Sequence, residues 1–209
     1  MVGSRVLGAG TMSTKPAPVA TLQRRLRTET RTWHERIEGA VPLLDAELDR
    51  PRYRRYLEAL AGYYRPVEAM LLTVEGWASI GIDLDRRRKV PWIERDLQAL
   101  GAAPLVPLAV VLPRVSTLAR AAGCLYVLEG STLGSRVVGR HLEASIGVRP
   151  DLGAAFFHGY GDATGAMWEA FVQALDALAA AGADEREVID AARETFETFE
   201  AWLRSRDLR

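Results

Sequence analysis

His34 has the side chain best suited to hold a metal. On a helix it shares one face with Thr30 and Glu38, at i−4 and i+4. A neutral imidazole binds a metal through one nitrogen and donates its other N–H to a carboxylate, and Glu38 is placed to fix that orientation. The alternative is a solvated or core histidine with an ordinary i,i+4 partner. A second feature is the stretch Gly123 to Gly139, whose helical apolar pattern is interrupted at Gly130, Gly134 and Gly139. Each interior glycine costs about 1 kcal/mol relative to alanine, so several together need a reason. Close helix–helix packing is one. A flat ligand that must approach the backbone, helped by a local kink, is the other. The stretch is no phosphate loop, because it lacks G-x-x-x-x-G-K-[ST] and no strand precedes it.

Other chemically capable residues are weaker. His141 and His158 read as surface or packing histidines, with a propionate contact or alternative ligation as the sharper idea. None of the three histidines has a glutamate three residues earlier, so the Glu-x-x-His signature of di-iron bundles is missing. Cys124 reads as a small core filler, with no cation at useful spacing to make it a thiolate. Arg86-Arg87-Arg88-Lys89 reads as a solvated face or as a docking patch for an acidic ferredoxin.

The elements that must position these residues are helical nearly throughout. Leu22, Leu26, Trp33 and Ile37 predict a first helix capped by Thr21 and ended by Gly39 and Pro42. Asp49 and Pro51 open a long second helix that presents Tyr53, Tyr56, Leu57, Leu60, Tyr64, Val67, Leu71 and Val74, with a kink expected at Pro66. A third helix is expected over residues 83–100, bent at Pro91. A long one is expected from about Pro113 to Ser145. Asp162 or Thr164 caps the next, and Asp184 with Glu187 forms a capping-box-like start for the last. Val106 to Leu112 is the only strand-like run, and its prolines demote it. The expected fold is all-α, a single irregular multi-helix bundle over residues 21–209, after a disordered tail over residues 1–20.

Composition narrows the function classes. The chain has 209 residues, 48% hydrophobic and 26% charged, which suits one globular domain with a core of its own. Its 27 basic and 27 acidic residues cancel, so a bulk electrostatic grip on nucleic acid is not expected. One cysteine makes neither an internal disulfide nor a zinc cluster, and it fits a reducing compartment. No apolar run approaches the ~20 residues of a membrane span, and no secretory signal is read. A cytoplasmic protein without membrane or nucleic-acid partners is the expectation.

Taken together, the two chemical features resemble a known family. Leu26, Arg27, Thr30, His34 and Glu38 resemble the proximal-helix signature of heme oxygenases. Tyr126 to Ser135, with Glu129-Gly130-Ser131-Thr132-Leu133-Gly134, resembles their glycine-rich distal helix. The variant is most similar to the bacterial branch often found beside bacteriophytochromes. The likeness runs from about Thr21 to Leu203, through the Phe196 to Leu203 helix. It implies heme (iron protoporphyrin IX) as both cofactor and substrate, opened with oxygen to biliverdin, carbon monoxide and ferrous iron. Electrons would come from a ferredoxin or an NADPH-dependent reductase, and a bacteriophytochrome would be a possible receiver of the pigment.

By that resemblance His34 is the axial ligand and Glu38 its partner, and Thr30 and Tyr126 belong to the cofactor site. Gly130 and Gly134 bring the distal helix close over the ring. Arg27 pairs with a propionate, since guanidinium matches carboxylate well. Phe196, Phe199 and Leu203 form an apolar wall. Neutral histidine ligation lacks the electron push of a thiolate, and the protein's part is orientation and polarity. Ser131 stands where the animal enzymes carry an aspartate, so Ser131, Ser135 and ordered water become the candidates for proton delivery. Ser135 replaces the second closing glycine and is expected to narrow the space over the ring. The basic residues that seat propionates on the penultimate helix of the animal enzymes are not evident around Trp168 to Leu178. A heme or bilin carrier, a non-heme di-iron enzyme and a thiamin-degrading enzyme of similar fold are the competing readings.

Overall fold

A computed structural model describes residues 21–40, 43–102, 105–206 and 208. The expected tail over residues 1–20 and the expected helix-ending role of Pro42 lie outside them. The described residues form α-helices and short 3-10 turns with no strand, and Val106 to Leu112 is irregular.

The first expected helix is two. Helix α1 is Leu22–Glu29 and α2 is Arg31–Ala40. Thr21 caps α1 as expected, accepting from the Arg24 N–H at 3.4 Å. The break falls at Thr30, whose hydroxyl donates back to the Leu26 carbonyl at 2.8 Å, a contact that bends helices. The turn is tight enough that the His34 N–H still reaches the Thr30 carbonyl at 3.1 Å. Helix α3, Arg50–Leu72, starts at the Asp49 cap, which accepts from Arg52 N–H at 2.8 Å, and runs on through Pro66. The third expected helix shrinks to α4, Val90–Ala99, preceded by a 3-10 turn over Asp85–Arg87. Pro91 stands in its first turn, where its missing N–H leaves no bond unmade, so it starts the helix instead of bending it.

The long helix expected from Pro113 is also divided. Thr117 caps α5, Leu118–Gly130, and α6 is Ser135–Ile146, closed by Gly147 at φ 68°. Between them the chain bends, because three hydroxyls bond to backbone carbonyls: Ser131 to Leu128 at 2.8 Å, Thr132 to Glu129 at 2.7 Å and Ser135 to Thr132 at 2.6 Å. Next comes α7, Ala155–His158, whose first two N–H groups are held by the buried Asp96 carboxylate at 2.6 and 2.8 Å. Helix α8, Thr164–Ala180, begins after a 3-10 turn, and neither Asp162 nor Thr164 caps it; the Thr164 hydroxyl bonds instead to the Gly161 carbonyl at 2.7 Å. Helix α9, Glu185–Arg204, has Asp184 as its cap. Glu187 does not close a capping box; it accepts from the Thr117 hydroxyl at 2.9 Å.

Helices α5 and α9 form the centre of the core. They approach so closely that a Cβ on Gly123 would strike the Val188 carbonyl, and Gly62 on α3 is similarly pressed by Pro107 and Trp202. The apolar face of α9 buries Val188, Ala192, Phe196, Phe199 and Leu203. The Tyr63 hydroxyl ties α3 to it through the Thr195 carbonyl at 3.0 Å.

Candidate functional site

On the α2 side, the His34 side chain is 55% exposed, with Nδ1 3.5 Å from Glu38 Oε1. The carboxylate thus stands at one ring nitrogen, and Nε2 has no partner among the described residues. The edge of the Phe196 ring packs against this imidazole, with centroids 6.2 Å apart at 72°. Thr30 is buried beneath, close to the Tyr126 hydroxyl from α5. Burial raises the Tyr126 phenol, and Thr30 and the nearby Arg27 charge oppose that rise. Arg27 itself is exposed and ion-paired to no described residue. The structure therefore brings Arg27, Thr30 and Tyr126 together below the His34 helix.

At the bend, the glycines separate into two kinds. Gly123 is locked in packing, whereas a Cβ at Gly130 or Gly134 would meet nothing within 4 Å. Gly134 has φ −86°, so strain does not require glycine there. What glycine secures is open space beside the backbone. Ser131 lies on this exposed side and accepts from the Tyr64 hydroxyl at 3.3 Å. Burial holds the Tyr64 phenol well above its usual range, so it stays a donor. Ser135 corrects the expectation. It is buried, bonded to the Thr132 carbonyl, with Oγ 4.0 Å from where a Cβ on Gly159 would stand. It sits on the packed side of the bend and does not narrow the open side.

Helix α9 joins the two halves. Phe196 touches His34, and Phe199, one turn on, packs with its centroid 4.7 Å from that of the tilted Tyr63 ring and, edge-on, 6.1 Å from that of Tyr64, whose hydroxyl reaches Ser131. Leu203, 2% exposed, belongs to the core.

Several neighbours escaped sequence reasoning. Tyr64 was legible only as one residue of an apolar face, although a buried phenol needs a partner. Glu129 closes an apolar run and is 1% exposed; a carboxylate in such a run must be paired. Its partners are Arg87 at 2.5 Å and Lys89. Both are buried, which corrects the reading of Arg86 to Lys89 as a solvated or docking face, leaving only Arg86 and Arg88 toward solvent. His141 bonds to the Asp45 carbonyl at 3.3 Å, and exposed His158 rests against Gly161. Cys124 is fully buried, and burial pushes its thiol up to about 12. No group of three His, Cys, Asp or Glu able to hold a metal ion exists among the described residues. No described helix is long and apolar enough to cross a membrane.

Comparison with known proteins bears on the family and the fold. A family model described as Heme oxygenase matches residues 20–205. The chain is 32% identical over 161 residues to a curated protein named Heme oxygenase from Xanthomonas campestris pv. campestris (strain 8004), covering 77% of this chain and 91% of that one. Among solved structures, the NO- and CO-bound heme oxygenase of Neisseria meningitidis superposes with a TM-score of 0.75 at 25% identity, over 88% of this chain and 91% of that one. Heme oxygenase-1 from the cyanobacterium Synechocystis sp. PCC6803, solved in complex with heme, gives a TM-score of 0.71 at 17% identity, over 89% and 92%.

Proposed function

The chain belongs to the heme oxygenase family, and from that premise we propose how its own residues divide the work. It is an enzyme that degrades heme to biliverdin, heme serving as cofactor and substrate. Bound heme supplies the oxygen-activating iron and the ring that is opened, with carbon monoxide and ferrous iron released. The residues present fit such a group. An exposed imidazole offers an Nε2 with no partner among the described residues, and two glycines keep a strip of backbone open where side chains would intrude.

His34 Nε2 is the ligand, and Glu38 at Nδ1 keeps the neutral ring in the tautomer whose Nε2 lone pair faces outward. Phe196 packs against the imidazole and limits its rotation. Arg27, exposed and without an ion-pair partner among the described residues, is the residue available for a propionate. Gly130 and Gly134 keep the bend free of side chains on its open face. Ser131 is held by Tyr64 and by its own bond to Leu128, so its hydroxyl is oriented and can hold a water on that face. A hydroxyl carries no charge at neutral pH, so protons move here through water that Ser131 positions. Ser135 and Leu203 serve the bend and the core.

The finer parts of the reading rest on the likeness of residues 126–135 to the bacterial branch. Electrons come from a ferredoxin or an NADPH-dependent reductase, the setting is cytoplasmic, and a bacteriophytochrome receives the pigment. Residues 21–209 act as one domain.

The observation that carries the reading is the free space at Gly130 and Gly134, joined through α9 to an imidazole with an unused nitrogen. The test is to mix purified protein with hemin, add a ferredoxin system with oxygen, and identify the product chromatographically. A bilin is expected; a Soret band that persists unchanged under reductant and oxygen marks a carrier instead.

A further inference from the structure

The distal bend is held from behind by the loop ahead of α8. Residues 159–162 touch the chain before, within and after the bend. Before it, the Tyr160 hydroxyl donates to Glu129 Oε1 at 2.8 Å, and Glu129 immediately precedes Gly130. Lys89 Nζ bonds to the same Glu129 oxygen, to the Tyr160 hydroxyl at 2.9 Å and to the Arg87 carbonyl at 2.7 Å. Trp92 sets its ring edge-on to Tyr160, centroids 5.1 Å apart at 82°. Within the bend, a Cβ on Gly159 would lie 3.8 Å from Thr132 Cβ and 4.0 Å from Ser135 Oγ. The backbone there is at φ 56°, ψ −129°, a region open essentially to glycine alone. After the bend, Arg136 on α6 donates to the Gly161 carbonyl at 3.2 Å and to Asp162 at 2.9 Å.

We propose that the 159–162 loop is a brace that fixes the opening of the distal bend, with Tyr160 as a positioning residue for heme turnover. The inference rests on the heme oxygenase reading for its effect on catalysis, but not for the brace itself. The two ends differ in strength. Arg136 and Asp162 are solvent-exposed, so their ion pair is weak. The Glu129 end is buried, where charge-assisted bonds are strongest. Burial also holds the Tyr160 phenol well above its usual range, so it remains a donor throughout the neutral range. Removing its hydroxyl leaves Glu129 paired with Arg87 and Lys89. The buried charge therefore stays compensated while the tie across the bend is lost.

Tyr160→Phe tests this. In heme-free protein, amide hydrogen exchange over residues 130–136 is expected to quicken about tenfold, while exchange in α3 and α9 stays at its wild-type rate. With hemin bound, turnover is expected to fall about fivefold and the mixture of biliverdin isomers to change, at nearly unaltered hemin affinity. Arg136→Ala should move the same readouts in the same direction by less. Unchanged exchange at 130–136 overturns the brace, whatever the enzyme does. Faster exchange with wild-type turnover and isomer mixture overturns the positioning role. If the wild-type protein itself forms no bilin, the functional reading fails, and the exchange result alone decides the brace.

Discussion

Replacing Gly130 with alanine separates the two reasons a glycine can stand in a helix. At Gly130 the added methyl meets nothing within 4 Å. The heme-free protein should therefore gain helix propensity, up to ~1 kcal/mol, which for a chain of this size raises Tm by about 2–4 °C. The same methyl occupies the space assigned to the substrate. Overpacking of a close contact costs about 1–3 kcal/mol, so turnover should drop about tenfold or more. Gly123→Ala is the control. Its Cβ would collide with the Val188 carbonyl and stand 3.1 Å from Ala191 Cβ, neither of which yields easily. That variant should lose about 1–3 kcal/mol of stability or more. Calorimetry of both heme-free variants, with bilin formation followed by absorbance, reads the two effects separately. If Gly130→Ala melts below wild type as Gly123→Ala does, Gly130 is a packing residue. If it keeps wild-type turnover, the open space has no part in the reaction.

Three other outcomes follow from the geometry. His34→Ala should abolish histidine ligation of bound hemin, and added imidazole should restore the spectrum; normal turnover without imidazole contradicts the axial role. Ser131→Ala should slow turnover about tenfold by releasing the positioned water and, by leaving the buried Tyr64 hydroxyl without its acceptor, should lower heme-free stability by about 1–3 kcal/mol; wild-type rate and isomer ratio remove the role in turnover. Asp96 offers a pH test. Burial lifts its carboxyl to about 6, against the opposing pull of the Phe156 and Ala155 N–H groups and of Arg95. The folded chain thus binds this proton more tightly than the unfolded chain does. Its contribution to stability is full below about 4 and is lost as pH rises through about 6, on the order of 3 kcal/mol at most. Urea melts of wild type and Asp96→Asn at pH 4 and pH 7 should show wild type losing ground to the variant at the higher pH. A difference that stays constant across that window contradicts the assignment.

Much of this was legible in the sequence because it depends on local spacing. The His34–Glu38 pair follows from the helical repeat, and the buried face of α9 follows from the spacing of Val188, Ala192, Phe196, Phe199 and Leu203. Caps at Thr21, Asp49 and Asp184 are short-range chemistry and were equally plain. What sequence hid depends on partners far along the chain. Whether a glycine faces packing or space is decided by the opposing helix, so Gly123 and Gly130 read alike until Val188 is seen against one of them. A run such as Arg86 to Lys89 looks solvated because the anion that buries it, Glu129, lies about forty residues on. Breaks at Thr30 and at residues 131–134 were smoothed into long helices. Their cause is hydroxyls bonding to carbonyls three or four residues back, and apolar periodicity does not register that.

The central claim, that one face of heme is held by His34 and the other lies against the open strip at Gly130 and Gly134, is tested most directly by a crystal structure with hemin bound. The account predicts iron bonded to His34 Nε2, Glu38 at Nδ1, and the porphyrin against the bend with no side chain between. Iron bonded to His141, His158 or Cys124, or a ring seated away from Gly130 and Gly134, would contradict it.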